Sequence, residues 1–310
     1  MDQERNFRTH YYEKVGFRAV EEKKSIEILL KDQPIKREKL IQFCLRYGVP
    51  AMYRIYIWKL ILAGILPLNQ SIQDYVWQHR QEHVRELERA ATLLVPESNA
   101  FSLEQKILGL KLIDEGCLPL NKTFLVTDSS DSKFVSIVQA TSSFVSSDVD
   151  LFWISTKFYK HSQELFVSNL VQYQPDDIIQ CLKKEDVKLY QHLSHHQLMK
   201  SLPIMEWLST CYANVLPENA LERIWDRVIG GSSAVLIYVA VSIFLILRRP
   251  LLALQSASHM VNYLSKIPED CGDRIVNETL EFLHKYAVQF PVQSESPSSD
   301  SGRKVLKHCA

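Results

Sequence analysis

Three histidines in the segment QHLSHHQLM are the side chains whose spacing best fits metal chemistry. His192 lies three and four positions before His195 and His196, so a helix would place them on one face. Zinc accepts imidazole ligands, but it needs further ligands and outer groups that orient them. Because these would have to come from elsewhere in the chain, we expect a partly exposed histidine patch rather than a metal site.

Other signatures of catalysis are missing from the sequence. It contains no phosphate-binding G-x-x-x-x-G-K-[ST], no dinucleotide-binding G-x-G-x-x-G, no H-E-x-x-H and no G-x-S-x-G. The six cysteines are far apart and form no C-x-x-C pair, which is typical of a reduced intracellular protein. We therefore expect neither a metal nor a cofactor.

The charge balance and the N-terminal residues bear on the protein's partners and on its cellular compartment. Its 36 basic and 36 acidic side chains cancel, which argues against a nucleic acid or an anionic membrane as the main partner. The first residues, MDQERNFRTHYYEK, are charged and lack the apolar core of a signal peptide. We expect a cytoplasmic protein whose presence on any membrane would come through its partners.

The elements that must position any site are predicted to be helices. In LPENALERIWDRVIGG, apolar residues recur at helical spacing from Leu221 to Ile229, and Gly230 and Gly231 then end the helix. The next run, 234–247, holds fourteen residues, of which only Ser242 is strongly polar. A membrane span needs about 20 residues, so this run predicts a helix buried within a core.

Similar helical patterns fill most of the chain, and strand-like alternation is hard to find. We therefore predict one large all-α domain over residues 1–290. Residues 291–310 are rich in Ser and Pro and carry few large apolar groups, so they are predicted to form a disordered tail.

Three stretches resemble the motifs of TBC domains. GVPAMYRIYIWKLILAG is similar to the family's opening G-[IV]-P turn and R-x-x-x-W motif, through Gly48, Pro50, Arg54 and Trp58. DVDLFWISTKFY, which includes Trp153, is similar to its mid-domain helix. The family's late motif is matched by Trp207, Cys211, Tyr212, Leu216, Pro217, Arg223, Trp225 and Asp226.

This resemblance implies a two-lobed helical fold, with an N-terminal lobe of about residues 1–155 and a C-terminal lobe of about 156–290. It also implies that the apolar run lies in the C-terminal core. Arg54 and Trp58 are four positions apart and share a helix face. A mostly buried arginine needs a carboxylate partner, and we predict that Asp226 is that partner.

Most TBC domains are understood to accelerate GTP hydrolysis by Rab GTPases, with an arginine from I-x-x-D-x-x-R and a glutamine from Y-x-Q. The arginine stabilises transition-state charge and the glutamine positions the attacking water. Near 128–133, where the glutamine is expected, the chain reads DSSDSK, and Gln139 lies too far along. The nearest arginine motifs end at Arg89 and Arg85 and lack both the apolar residue and the aspartate. We expect no catalytic residues.

A closer resemblance extends from RNFRTHYYEKVGFRAVEEKKSIEILLKD to about residue 290. These residues are similar to the small TBC proteins that form the third subunit of the tuberous sclerosis complex. The resemblance implies a scaffold that binds the coiled coil of hamartin and, through it, tuberin. Such a complex activates GTP hydrolysis by Rheb and restrains TOR growth signalling at the lysosome.

The sequence leaves the partner surface and two other functions open. We place the surface on the helices predicted over Ser71–Leu94 and Ser102–Glu115, where Leu103, Ile107 and Leu110 could form an exposed apolar stripe. The alternative is that this stripe faces the core. The chain could also be an active Rab GTPase-activating protein that uses Arg89 or Arg85, or an effector that binds a Rab without accelerating hydrolysis.

Overall fold

The structure is a computed structural model that describes residues 21–94, 101–117, 129–169, 175–195 and 201–286. These ranges fold into helices joined by turns, and they contain no strand, which confirms the predicted all-α class. The α-helices are, in chain order, α1 (21–31), α2 (Arg37–Arg46), α3 (Ala51–Ile61), α4 (Gln73–Leu94), α5 (Leu103–Asp114), α6 (Ser129–Ser142), α7 (Asp148–Asn169), α8 (Pro175–Glu185), α9 (Val187–His195), α10 (Ile204–Ser209), α11 (Glu218–Ile229), α12 (Ala234–Ile246), α13 (Arg248–Ala253), α14 (Ala257–Leu264) and α15 (Gly272–Tyr286). Short 3-10 helices cover Gln70–Ile72 and Glu269–Cys271.

Helix α12 is the apolar run that the sequence predicts to be buried. All residues of the range 235–244 are buried, and α15, α8 and α11 pack around the helix. Its polar residue, Ser242, lies 3.1 Å from the hydroxyl group of Thr279 on α15, so the buried hydroxyl has a partner. Within the described part of the chain, no helix is both long enough and apolar enough to cross a bilayer.

The turn between α11 and α12 follows the predicted glycines. Gly231 has a φ of +92°, a left-handed conformation that side chains with a Cβ rarely adopt. The N–H of Ser232 donates to the carbonyl of Arg227 at 2.9 Å, and that of Gly231 donates to Val228 at 2.8 Å. These bonds close the end of α11 and let α12 begin within a few residues.

Buried apolar side chains from both halves of the chain form one contiguous core. In the first half, α4, α5, α6 and α7 pack against one another, while α2 and α3 pack against α11 from the second half. The predicted lobe boundary near residue 155 falls inside α7, and the division into lobes stays a prediction. The predicted tail, 291–310, lies outside the described residues.

Candidate functional site

Arg54 and Asp226 form the buried ion pair that the sequence predicts. Arg54 is 7% exposed on α3 and Asp226 is 0% exposed on α11. The Nε of Arg54 lies 3.2 and 3.3 Å from the two carboxylate oxygens of Asp226, and the indole Nε1 of Trp58 donates to Oδ1 at 2.8 Å. The R-x-x-x-W spacing therefore places two donors from one turn of α3 on a single carboxylate.

The remaining donors of Arg54 are also used. Its guanidinium pairs with Glu222 on α11 and donates to the carbonyl of Val49 at 2.8 Å. Burial raises the pKa of Asp226 to about 6, although the charge of Arg54 and the N–H of Trp58 oppose this rise. This cluster joins α3 to α11, so these motif residues hold the fold together.

Trp225, another motif residue of α11, connects this helix to two further segments. Its ring stacks on Phe158 of α7 with a centroid distance of 4.2 Å, and its Nε1 donates to the carbonyl of Cys211 at 2.9 Å. Cys211 and Tyr212 have positive φ values of 51° and 63°, which non-glycine residues rarely adopt. The Trp225 hydrogen bond and one from the Tyr212 hydroxyl to Leu236, at 2.7 Å, hold this strained turn.

The candidate catalytic arginines lie on the solvent side of α4. Arg85 is exposed and pairs with Glu82 at 2.5 Å. Arg89 is exposed and forms no hydrogen bond or ion pair with the residues that the structure describes. Gln139 is exposed on α6, where its side-chain oxygen accepts from Asn214 at 3.1 Å. The structure therefore does not bring either arginine together with Gln139 in a shared contact.

The prediction of an exposed apolar stripe on α5 is wrong. Leu103 is 37% exposed, but Ile107 and Leu110 are only 2% and 5% exposed. The reason is that α5 packs between α4 on one side and α6 and α7 on the other, so its apolar face is part of the core. The helix does begin as predicted, because Ser102 and Gln105 form a capping box.

Helix α4 has the exposed face that α5 lacks. Only Val84 and Leu87 are buried among its 22 residues. Tyr75 and Leu93 are 64% and 82% exposed. Six exposed residues of this face are separated alternately by four and three positions, and we call them the exposed seam: Tyr75, His79, Glu82, Glu86, Arg89 and Leu93. This is the spacing of the a and d positions in a coiled coil.

Trp153, on the helix matched to the mid-domain motif, has two cations close to its ring. Its Nε1 donates to the carbonyl of Arg80 at 3.2 Å. The guanidinium of Arg80 lies 4.7 Å from the ring centroid and the Nζ of Lys157 lies 5.5 Å from it. The sequence analysis missed Arg80 and Lys157 because their proximity depends on how α4 packs against α7. Their basic side chains alone give no such signal.

The histidine segment is described only in part. His192 on α9 has its Nε2 atom 2.8 Å from the carbonyl oxygen of Leu254. The side chains of His195 and His196 lie outside the described residues. The described ranges contain no group of three or more side chains that could hold a metal ion.

The chain is similar to known proteins over most of its length. It is 37% identical over 285 residues to human "TBC1 domain family member 7", which covers 92% of this chain and 96% of the relative. Proteins of the same name from Bos taurus and Danio rerio are 38% and 36% identical, with the same coverage.

Family and structure comparisons agree with these relatives. The family model described as "Rab-GTPase-TBC domain" matches residues 133–252. The Ypt/Rab-GAP domain of Gyp1p superposes with a TM-score of 0.55 at 16% identity, covering 86% of this chain and 99% of that domain. A flagellar RabGAP TBC domain from Chlamydomonas gives a TM-score of 0.51 at 14% identity, with coverages of 91% and 92%. On this evidence, the chain belongs to the Rab-GTPase-TBC domain family.

Proposed function

We propose that this protein is a non-catalytic TBC-domain scaffold that binds the coiled coil of hamartin and stabilises the tuberous sclerosis complex. In that role it joins tuberin only through hamartin, and it restrains TOR growth signalling without itself accelerating GTP hydrolysis. The proposal rests on the family membership, on the sequence resemblance described above and on one observation in the structure. That observation is the exposed seam of α4.

The seam has the length and spacing that a coiled-coil partner needs. A helix of 22 residues extends for about 33 Å, which is long enough for three heptads. Apolar side chains stand near the two ends of the seam, at Tyr75 and Leu93. Its middle carries Glu82, Glu86 and Arg89, which favours a partner helix with basic and acidic residues in complementary positions.

The loss of the catalytic motifs supports a scaffold rather than an enzyme. An arginine finger contributes about 10³–10⁵ in rate, or roughly 4–7 kcal/mol of barrier. Neither I-x-x-D-x-x-R nor Y-x-Q occurs at the expected place in this sequence. The residues that match the family include Arg54, Trp58 and Asp226, which bind one another rather than a partner.

Binding of a hamartin coiled-coil fragment tests the proposal. Isothermal titration with the full chain should give saturable binding, and Tyr75→Glu or Leu93→Glu should weaken it by roughly tenfold or more. Met205→Glu is the matched control, because Met205 is 47% exposed on α10. No binding by the wild-type chain contradicts the scaffold function. If both seam variants bind hamartin with wild-type affinity, this contradicts the placement of the partner surface on α4.

The exposure of Arg89 favours a second candidate function. An exposed arginine without a polar partner in the described ranges is available to enter the nucleotide site of a Rab GTPase. Under this alternative, the chain is an active Rab GTPase-activating protein with a non-standard arginine. Arg89→Ala should then abolish its acceleration of hydrolysis, whereas under the scaffold function there is no acceleration to lose.

A further inference from the structure

A pair of cations shares one aromatic ring at the junction of α4 and α7. Arg80 and Lys157 lie 4.7 and 5.5 Å from the ring centroid of Trp153, which is 4% exposed. Such contacts stabilise a single cation by about 0.5–2 kcal/mol. Two cations on one ring also repel each other, so the ring alone does not explain why both are held here.

Two other lysines in the first half of the chain lie over aromatic rings, and each of them pairs with a carboxylate. Lys59 lies 3.8 Å from the ring centroid of Trp77 and pairs with Asp150 at 2.9 Å. Lys111 lies 5.4 Å from the ring centroid of Phe134 and pairs with Glu115 at 2.6 Å. Within the described residues, no carboxylate lies within ion-pair distance of Arg80 or Lys157. These two side chains are therefore the exceptions in this part of the fold.

The same two cations are partly removed from water. The Nε of Arg80 is buried and has no hydrogen-bond partner among the described residues. Burial lowers the pKa of Lys157, and the charges of Lys160 and Arg80 lower it further. The charge of Asp114 opposes this lowering, but that carboxylate is already engaged by His83 at 2.7 Å. A partly desolvated cation pair of this kind gains most from an added anion.

We propose that Arg80 and Lys157, supported by Trp153, form an anion-binding site that takes a phosphate group. A phosphate dianion neutralises both cations at once, whereas one carboxylate neutralises only one of them. The planar guanidinium of Arg80 can donate two parallel hydrogen bonds to phosphate oxygens, and the ammonium of Lys157 adds a compact charge. Lys160, one turn beyond Lys157 on α7, extends the basic surface toward solvent.

Titration of inorganic phosphate into the full chain, followed by calorimetry and by thermal stabilisation, tests the site. We expect saturable binding that Arg80→Gln and Lys157→Gln each weaken by roughly tenfold or more. The matched control is Lys183→Gln, because Lys183 also lies over a ring, 5.7 Å from the centroid of Tyr190, but without a second cation. Circular dichroism identifies any variant that fails to fold. If Arg80→Gln fails to fold, the phosphate binding of Lys157→Gln alone tests the site.

A second arm of the experiment identifies the source of the phosphate group. The chain is mixed with phosphatidylcholine vesicles that do or do not contain phosphatidylinositol phosphate. Binding of inorganic phosphate supports the site and assigns it to soluble phosphate compounds. Binding only to the phosphoinositide vesicles, lost in the two variants, supports the site and assigns it to a lipid headgroup. Absence of saturable binding in both arms, or equal binding by wild type and both variants, overturns the proposal.

Discussion

At the residue scale, the family motifs of this chain satisfy one buried carboxylate. Asp226 receives hydrogen bonds from Arg54 and Trp58 and is fully removed from solvent. Removing one member of a buried pair leaves the other charge without compensation, and this costs about 3–5 kcal/mol. The motif residues therefore contribute to the stability of the fold.

Arg54→Met tests the role of this cluster. We expect the free energy of unfolding to fall by about 3–5 kcal/mol, because Asp226 would keep only the Trp58 N–H as a partner. Urea denaturation at neutral pH measures the change. Arg223→Met is the control, because its pair with Asp273 is largely exposed and contributes about 1 kcal/mol or less. Equal losses in the two variants would contradict the assignment.

The sequence predicted the Arg54–Asp226 pair but not all of its surroundings. A buried arginine requires a carboxylate, and the motif offers Asp226 as the candidate. The contacts of Arg54 with Glu222 and Val49 depend on the crossing of α3 and α11, which no local pattern encodes. Arg80 and Lys157 were missed for the same reason, since their ring partner lies on another helix.

At the element scale, periodicity predicted an apolar face on α5 but not what covers it. The spacing of Leu103, Ile107 and Leu110 fits both a core face and a docking face. Burial distinguishes these two uses, and it depends on the packing of α4, α6 and α7 around α5. The predicted partner surface included the helix Ser71–Leu94, but the seam residues on it were not identified because most of them are polar and differ little from a solvated surface.

Ile107→Asp tests the corrected role of α5. Because Ile107 is 2% exposed, a charge there should lower the free energy of unfolding by about 3 kcal/mol or more. Leu103→Asp, at a site that is 37% exposed, should cost about 1 kcal/mol or less. Thermal melts of the two variants give the comparison. An Ile107→Asp variant with wild-type stability would contradict the burial of Ile107 in the core.

Asp186 attaches α9 to the rest of the domain. Its carboxylate accepts from the N–H of Leu189 at 2.9 Å, which caps α9, and it pairs with Arg248 on α13. Burial alone would raise the pKa of Asp186, but the hydrogen bonds from Arg248 and Leu189 outweigh it and hold the pKa below 3.8. Its stabilising effect is therefore present at neutral pH and lost as the pH falls through the lowered pKa.

The variant Asp186→Ala should consequently lose about 1–2 kcal/mol of unfolding free energy at neutral pH. The difference between variant and wild type should shrink when urea denaturation is repeated well below pH 3.8, where the wild-type carboxyl group is also neutral. A difference that stays constant over this pH range would show that the charge of Asp186 does not contribute.

At the scale of the whole molecule, one core connects the two halves of the chain. Trp58 and Trp225 lie 6.2 Å apart between the first and second halves, and both are fully buried. The sequence predicted the helical class and the buried position of α12, because a run of fourteen mostly apolar residues is too short for a membrane span. The predicted Arg54–Asp226 pair implied that α3 meets α11, but no pattern in the sequence indicated that α2 also packs against α11, since that contact joins distant segments.

This shared core predicts a single unfolding transition. Far-ultraviolet circular dichroism and tryptophan fluorescence should give coincident urea curves, because the halves cannot expose Trp58 and Trp225 separately. Two separate transitions would instead show that the predicted lobes fold independently.

The most direct test of the central claim is single-turnover GTP hydrolysis on a panel of Rab GTPases with catalytic amounts of the purified full chain. A scaffold that lacks both catalytic motifs should leave every hydrolysis rate at its intrinsic value, with wild type and Arg89→Ala indistinguishable. Acceleration of about 10³-fold or more on any Rab, lost in Arg89→Ala, would contradict the account and establish an active GTPase-activating protein.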